Sequence, residues 1–147
     1  MVLEPALLGA AAFVVGALAC GLVAAQEPGA WDLRAELLVP NSEFAVAELE
    51  GRLYVFAGYP PDRVTARVVQ VYDIASDVWS VGPELPVPNN HGMAASVGGS
   101  IYLIGGQTSS SGGDSFVDTV YALDPAIGTW MERAPMPTRR CRGRGAA

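Results

Sequence analysis

Apolar residues along this chain come in short runs rather than in helical periods. Residues 44–49 and 52–57 are rich in Val, Leu, Tyr and Phe, and Glu50-Gly51 between them reads as a two-residue hairpin turn. Residues 93–97 and 100–104 repeat the arrangement around Gly98-Gly99. Apolar residues fall on both faces of these runs, so the predicted strands are covered on both sides, as when one sheet stacks on the next. Residues 68–73 and 119–124 supply a third strand to each unit, and the segments around Trp79 and Trp130 a fourth. The pattern therefore predicts an all-β fold built from two four-stranded antiparallel units.

The two units share one sequence pattern. Residues 41–58 align without gaps to residues 89–106, an offset of 48, and upstream Trp31, Glu36-Leu37 and Val39-Pro40 answer Trp79, Glu84-Leu85 and Val87-Pro88 at the same spacing. Downstream the offset becomes 51, so that Val69, Asp73 and Trp79 answer Val120, Asp124 and Trp130. A period near 50 with several short strands per unit is the signature of a propeller or a solenoid. Trp31 then reads as an orphan fourth strand whose first three are missing, and Arg140 marks where a third unit would begin.

Within each unit a glycine pair closes the second strand (Gly105-Gly106, with Ala57-Gly58 as the weaker copy). A variable loop follows, then a strand ending in Asp73 or Asp124, a Trp six residues on, and an L-P or M-P turn. In these residues the chain resembles the Kelch repeat, over residues 31–140. The resemblance implies Kelch-type β-propeller blades, about 41–80 and 89–131, within a partial propeller of residues 26–140. It also implies that ligands are contacted by the loop entering the first strand and by the loop after the glycine pair. The first falls at Asn41, Asn89 and Arg140, the second at residues 59–67, including Tyr59, and 107–118, including Gln107. Family members often carry Arg at the first position, and Asn41 and Asn89 depart from that. Asn89-Asn90-His91 is the most polar cluster at a strand entrance and suits neutral, hydroxyl-rich partners such as glycans, although Asn in a turn also serves backbone hydrogen bonding.

Other recurring residues read as architecture. Trp31, Trp79 and Trp130 are apolar plates spaced once per repeat to pack against a neighbouring blade, with Tyr54 and Tyr102 facing the core. Gly58, Gly105 and Gly106 allow positive φ and close backbone approach where the strand leaves the sheet. Asp73 and Asp124 are expected to accept backbone donors in the turn before the fourth strand.

Composition bounds what remains. The 147 residues suffice for one modest domain. Residues 6–25 are uninterrupted apolar or small residues, expected to form a hydrophobic helix that acts as a signal peptide or as an uncleaved membrane anchor. Residues 1–25 are accordingly set apart from the domain, and the protein is expected to be extracytoplasmic or membrane-anchored. Cys20 and Cys141 lie outside the blades, so no disulfide joins them internally. Nine arginines and no lysine stand against 15 acids, a balance that argues against general nucleic-acid affinity. The Arg-rich stretch 141–147 reads either as a disordered basic tail or as the truncated or out-of-frame end of a longer propeller.

Catalysis finds little support. His91 is the single histidine, which excludes a multi-histidine metal site within one chain and, with it, the copper chemistry of radical oxidases built on such propellers. Ser109-Ser110-Ser111 has no base in recognisable relation to it, and the glycines after Gln107 lack the Lys-Ser or Lys-Thr of a phosphate loop. No cofactor is expected. The leading expectation is a non-catalytic protein- or glycan-interaction module. The alternatives are part of an extracytoplasmic Kelch enzyme such as a sugar epimerase, and a structural propeller that homo-oligomerises because two blades leave edges and apolar faces uncovered.

Overall fold

The computed structural model describes residues 29–110 and 115–141. The expected N-terminal helix and nearly all of the Arg-rich tail lie outside these residues. The chain divides into two units, Met1–Asp32 and Leu33–Ala147. The second is all-β and holds β1 (Ala45–Leu49), β2 (Arg52–Phe56), β3 (Val69–Asp73) and β4 (Val78–Val81) in one antiparallel sheet. A second sheet holds β5 (Met93–Val97), β6 (Ser100–Ile104), β7 (Val120–Asp124) and β8 (Thr129–Arg133). Both sheets run in plain sequential order, as two meandering blades of four strands. Register is set by the tight hairpins: Leu49 pairs with Arg52 and Val97 with Ser100. Glu50 and Gly51 in the first turn, and Gly98 and Gly99 in the second, all take positive φ, the backbone that a two-residue turn on right-twisted strands needs.

The blades stack face to face. Ala45, Ala47, Tyr54, Phe56, Val69 and Val71 on the first join Ile101, Leu103 and Leu123 on the second in one buried cluster, with Leu49, Ala94 and Trp130 packed at its margin. Trp130 meets the edge of Phe56 at 5.7 Å between ring centroids, and Phe56 stacks on Tyr54 at 6.2 Å. Ser96 adds a hydroxyl donor to the Glu48 carbonyl across the same seam. Fully burying an apolar side chain of this size contributes about 1.5–3 kcal/mol, so the seam is the main source of cohesion. Tyr102 departs from expectation. It is only half-buried, because it shares its face with Met93, Ala95 and Ile104 on the side of the second blade that no other described sheet covers.

Each outer-strand tryptophan also pins the chain entering its own blade. The Trp79 indole donates to the Ala35 carbonyl at 2.8 Å and the Trp130 indole to the Pro83 carbonyl at 3.0 Å, positions 48 apart in the lead-in segments. On the first blade the fully buried Gln70 reinforces the clamp, accepting from Val39 N–H at 2.8 Å and donating to Val39 C=O at 3.0 Å. Trp79 itself lies against Tyr72, 4.9 Å away. The orphan strand expected at Trp31 is not formed: Trp31 belongs to no strand and is 98% exposed. Its counterpart Trp79 owes its strand to pairing with β3 of its own blade, and among the described residues no strand pairs with the segment around Trp31.

The turns before the fourth strands are closed by carboxylates. Asp73 accepts from the Ser76 N–H at 3.0 Å and the Ser76 hydroxyl at 2.9 Å, and Asp124 accepts from the Ala126 N–H at 3.0 Å. The Ser76 bonds, with Arg52 nearby, hold the Asp73 carboxyl below its ordinary range. Asp77 is held low by the Tyr72 hydroxyl and the Ala35 N–H, and the same bond to Asp77 pushes the Tyr72 phenol up.

Candidate functional site: one rim of the stacked blades

Because the strands alternate in direction, the loops entering β1 and β5 and the loops following β2 and β6 all emerge at one end. Two equivalent contacts fix this rim. The side-chain amide of Asn41 donates to the Ala57 carbonyl, and that of Asn89 donates to the Gly105 carbonyl at 2.9 Å. These amides stand directly over the second glycine of each pair. A Cβ on Gly58 would lie 2.7 Å from Asn41 Oδ1, and one on Gly106 would lie 2.5 Å from Asn89 Oδ1. Only glycine fits there, and it also accepts the positive φ of 91° at Gly58 and 103° at Gly106. Beyond the glycines, Ser42 bridges to Tyr59 and Asn90 to Gln107, each antiparallel, so every entrance is tied to the loop after its own glycine pair.

The blades are also joined to each other at this rim. Gly58 N–H donates to Asn89 C=O at 2.9 Å, and Gly106 N–H donates to Arg140 C=O at 2.7 Å. Arg140 therefore stands where a third entrance begins, by its backbone, while its guanidinium donates to the Thr138 hydroxyl at 2.8 Å. Glu43 and His91 occupy one repeat position, both with left-handed φ (57° and 53°), and they meet across the seam. The His91 N–H donates to the Glu43 carbonyl at 2.9 Å, and the two side chains pair through His91 Nε2 and Glu43 Oε2, also at 2.9 Å. His91 Nδ1 lies 2.6 Å from Asn90 Oδ1. The Asn90 amide in turn donates to the Thr65 hydroxyl at 3.0 Å and toward the Ser109 carbonyl at 3.4 Å.

The residues expected to bind thus divide by exposure. Asn41 and Asn89 serve the backbone, while Asn90 is 1% exposed and the His91 side chain 8%, so both act as an inner layer. Tyr59 is buried as well, edge-on to His91 at 6.1 Å, and carries the Arg63 guanidinium 5.0 Å above its ring. The surface these residues support is a groove of about 300 Å³ lined by residues 63–65, Pro88 and residues 108–110. Arg63 and Thr65 lie within the loop 59–67 that the resemblance marked, but neither they nor Glu43 were singled out. Glu43 and His91 do share one repeat position with complementary chemistry, which is the signal that links them. A second cleft of about 230 Å³ opens at the other end of the stack, beside Glu50, Arg52 and Ala126. There Arg52 is already paired with Asp73 at 3.4 Å. Among the described residues, no three metal-ligating side chains come together.

A family model described as the Kelch motif matches residues 40–86 and 94–137, more than half of the chain. Kelch-like protein 36 of Bos taurus is 47% identical over 51 residues, which are 34% of this chain and 8% of that relative's length.

Proposed function

Because the chain belongs to the Kelch-motif family, we propose that it is a non-catalytic protein-interaction module whose partner docks on the rim made by residues 41–44, 59–68, 89–92 and 107–110. The observation that carries this reading is the division of labour at the rim. Buried polar side chains, Asn90 and His91, spend their hydrogen bonds on joining the two blades, and the outward groove is left lined by a cation, hydroxyls and apolar surface. A pre-ordered surface of this kind loses little conformational entropy on binding. The groove lies between the two loops that vary most between repeats, and loops on a rigid scaffold are where recognition residues concentrate.

Selection of displayed random peptides on the immobilised full chain tests the reading. Selected peptides are expected to weaken by roughly tenfold or more when the groove is filled by Val64→Trp or Ser110→Trp, as expected when a central contact pocket is lost. Arg52→Ala, at the opposite end, should leave them unchanged. Failure to select any binding peptide, or peptides that are lost with opposite-end substitutions and not with groove substitutions, would overturn it.

A further inference from the structure

Each blade has two faces, and the seam between the blades uses one face of each. Strand pairing places Ala45, Ala47, Tyr54, Phe56, Val69 and Val71 on one face of the first blade, and all six are buried in the seam. They are covered by the opposite kind of face on the second blade, which carries Ala94, Ile101, Leu103, Leu123 and Trp130. The stacking is therefore front to back: a receiving face on one blade meets a covering face on the next.

The repeat leaves one face of each kind bare. On the second blade the receiving positions are Met93, Ala95, Tyr102, Ile104 and Val120, the counterparts of Ala45, Ala47, Tyr54, Phe56 and Val69. Phe56 is 1% and Val69 0% exposed beneath their cover, whereas all five counterparts stay part-exposed. On the first blade the covering positions Val46, Leu53 and Val55 are the counterparts of Ala94, Ile101 and Leu103. Val46 is 49% exposed, and Leu37 in the lead-in stays part-exposed where its counterpart Leu85 is 0% exposed within the seam. The chain thus carries both halves of its own seam on its two outer faces. Contact between such unlike faces is heterologous, so copies add front to back and form a ring where the rotation closes. Propellers close with about four to eight blades, which about two to four copies of a two-blade chain supply.

Two details weaken the intermolecular seam relative to the internal one. In the internal seam the Ser96 hydroxyl donates to the Glu48 carbonyl. On the bare covering face the Ser96 position is Glu48, so a carboxylate would meet the Ser96 carbonyl of the next copy, acceptor against acceptor. Residues 136–140 are also bonded to the second blade as residues 85–89 are to the first: Met136 N–H donates to Asp118 C=O as Leu85 N–H does to Arg67 C=O. They hold the place in the seam that the lead-in of an incoming copy would take, so association displaces one of these two segments.

We propose that the bare face of the second blade, around Ala95 and Tyr102, is an interaction surface for the bare face of the first blade, around Val46 and Leu53, on a second copy of this chain. The test is sedimentation velocity of the full chain over a concentration series, in non-ionic detergent so that the apolar residues 6–25 do not themselves drive association. The native chain should associate reversibly. Val46→Arg and Ala95→Arg, at part-exposed positions on opposite faces, should each weaken association by at least about tenfold through an unpaired charge in the contact. An equimolar mixture of the two should recover a dimer, because one variant keeps the receiving face intact and the other the covering face. Glu48→Ser, which copies Ser96, should tighten association by about fivefold, the scale of one hydrogen bond. Unchanged urea midpoints should show that the variants fold. Native and Glu48→Ser chains that both stay monomeric, association insensitive to both arginines, association lost with Ala95→Arg but untouched by Val46→Arg, or a mixture that stays monomeric would each overturn the inference. The docking rim lies apart from both faces, so its reading stands or falls separately.

Discussion

Phe56→Ala should cost about 3–5 kcal/mol, the range for deleting a fully buried aromatic side chain. Phe56 is 1% exposed and sits at the middle of the seam, stacked on Tyr54 and meeting the edge of Trp130 from the second blade. Among the described residues no other single side chain joins the faces of both sheets through aromatic contacts on each side. Removing it leaves a cavity that strands fixed by hairpin registers cannot close. Domains are stable by only about 5–15 kcal/mol, so a loss of about 3–5 kcal/mol removes roughly a fifth of that stability at the least. Equilibrium urea unfolding measures this, and with Trp31→Phe and Trp79→Phe in the background the fluorescence of Trp130 reports it at the seam. Phe56→Leu, which keeps most of the volume, should cost under about 1.5 kcal/mol if the seam repacks. A loss below about 1 kcal/mol for Phe56→Ala would mean that the two blades do not depend on one another.

Gly106→Ala should destabilise by about 2–4 kcal/mol, through backbone strain and a buried collision together. The strain comes from φ at 103°, and the collision from a methyl placed 2.5 Å from Asn89 Oδ1 and 2.7 Å from the Asn90 carbonyl oxygen. Relief would require the Asn89 amide to leave the Gly105 carbonyl, which would then be buried without its donor. The two residues are therefore coupled. In an Asn89→Ala background, Gly106→Ala should cost at least about 1 kcal/mol less than in the native chain, which a double-mutant cycle reads directly. Strict additivity would show that the amide does not impose the glycine. At Gly58 an added methyl would meet the Ser42 carbonyl oxygen before Asn41 Oδ1, so Asn41→Ala should relieve less of the cost there.

The repeat made these two features legible to different degrees. A constant offset of 48 residues between two apolar hairpins is enough to define strands, turns and blade order, because strand patterns and turn residues are local properties. It also located Asn41 and Asn89, and the structure supplies the reason they recur: each amide closes onto a carbonyl of the glycine pair. Trp130 was legible as a seam residue, whereas Trp79 lies on Tyr72 of its own blade; the indole bonds to Ala35 and Pro83 were not legible, since those acceptors are backbone atoms that carry no side-chain signal. Trp31 shows the converse. It matches the motif by type and spacing, but a strand needs a partner, and a residue pattern cannot provide one.

The rim was legible as a place and not as a surface. Loop positions followed from strand direction, whereas which side chains turn inward depended on how one blade sits on the next. His91 and Asn90 looked like ligand residues because they are polar and lie at a strand entrance; stacking buries them against Glu43 and Thr65 instead. Arg63 lies in the loop 59–67 that the resemblance marked for ligand contact, but the residues of that loop differ from those of its counterpart at 107–118, so the pattern singled out no side chain within it. Its orientation comes from Tyr59 beneath it, a contact between residues that the sequence spaces only as turn neighbours.

Hydrogen exchange of the full chain with and without a selected peptide reads where a partner sits without altering any residue, and so puts the docking rim itself to the test. If the rim is the docking surface, exchange slows on binding in residues 59–68, 89–92 and 107–110, while residues 50–52, 98–100 and 125–127 at the opposite end stay unchanged. Protection confined to that opposite end, or spread along the uncovered face of the second blade, would contradict it.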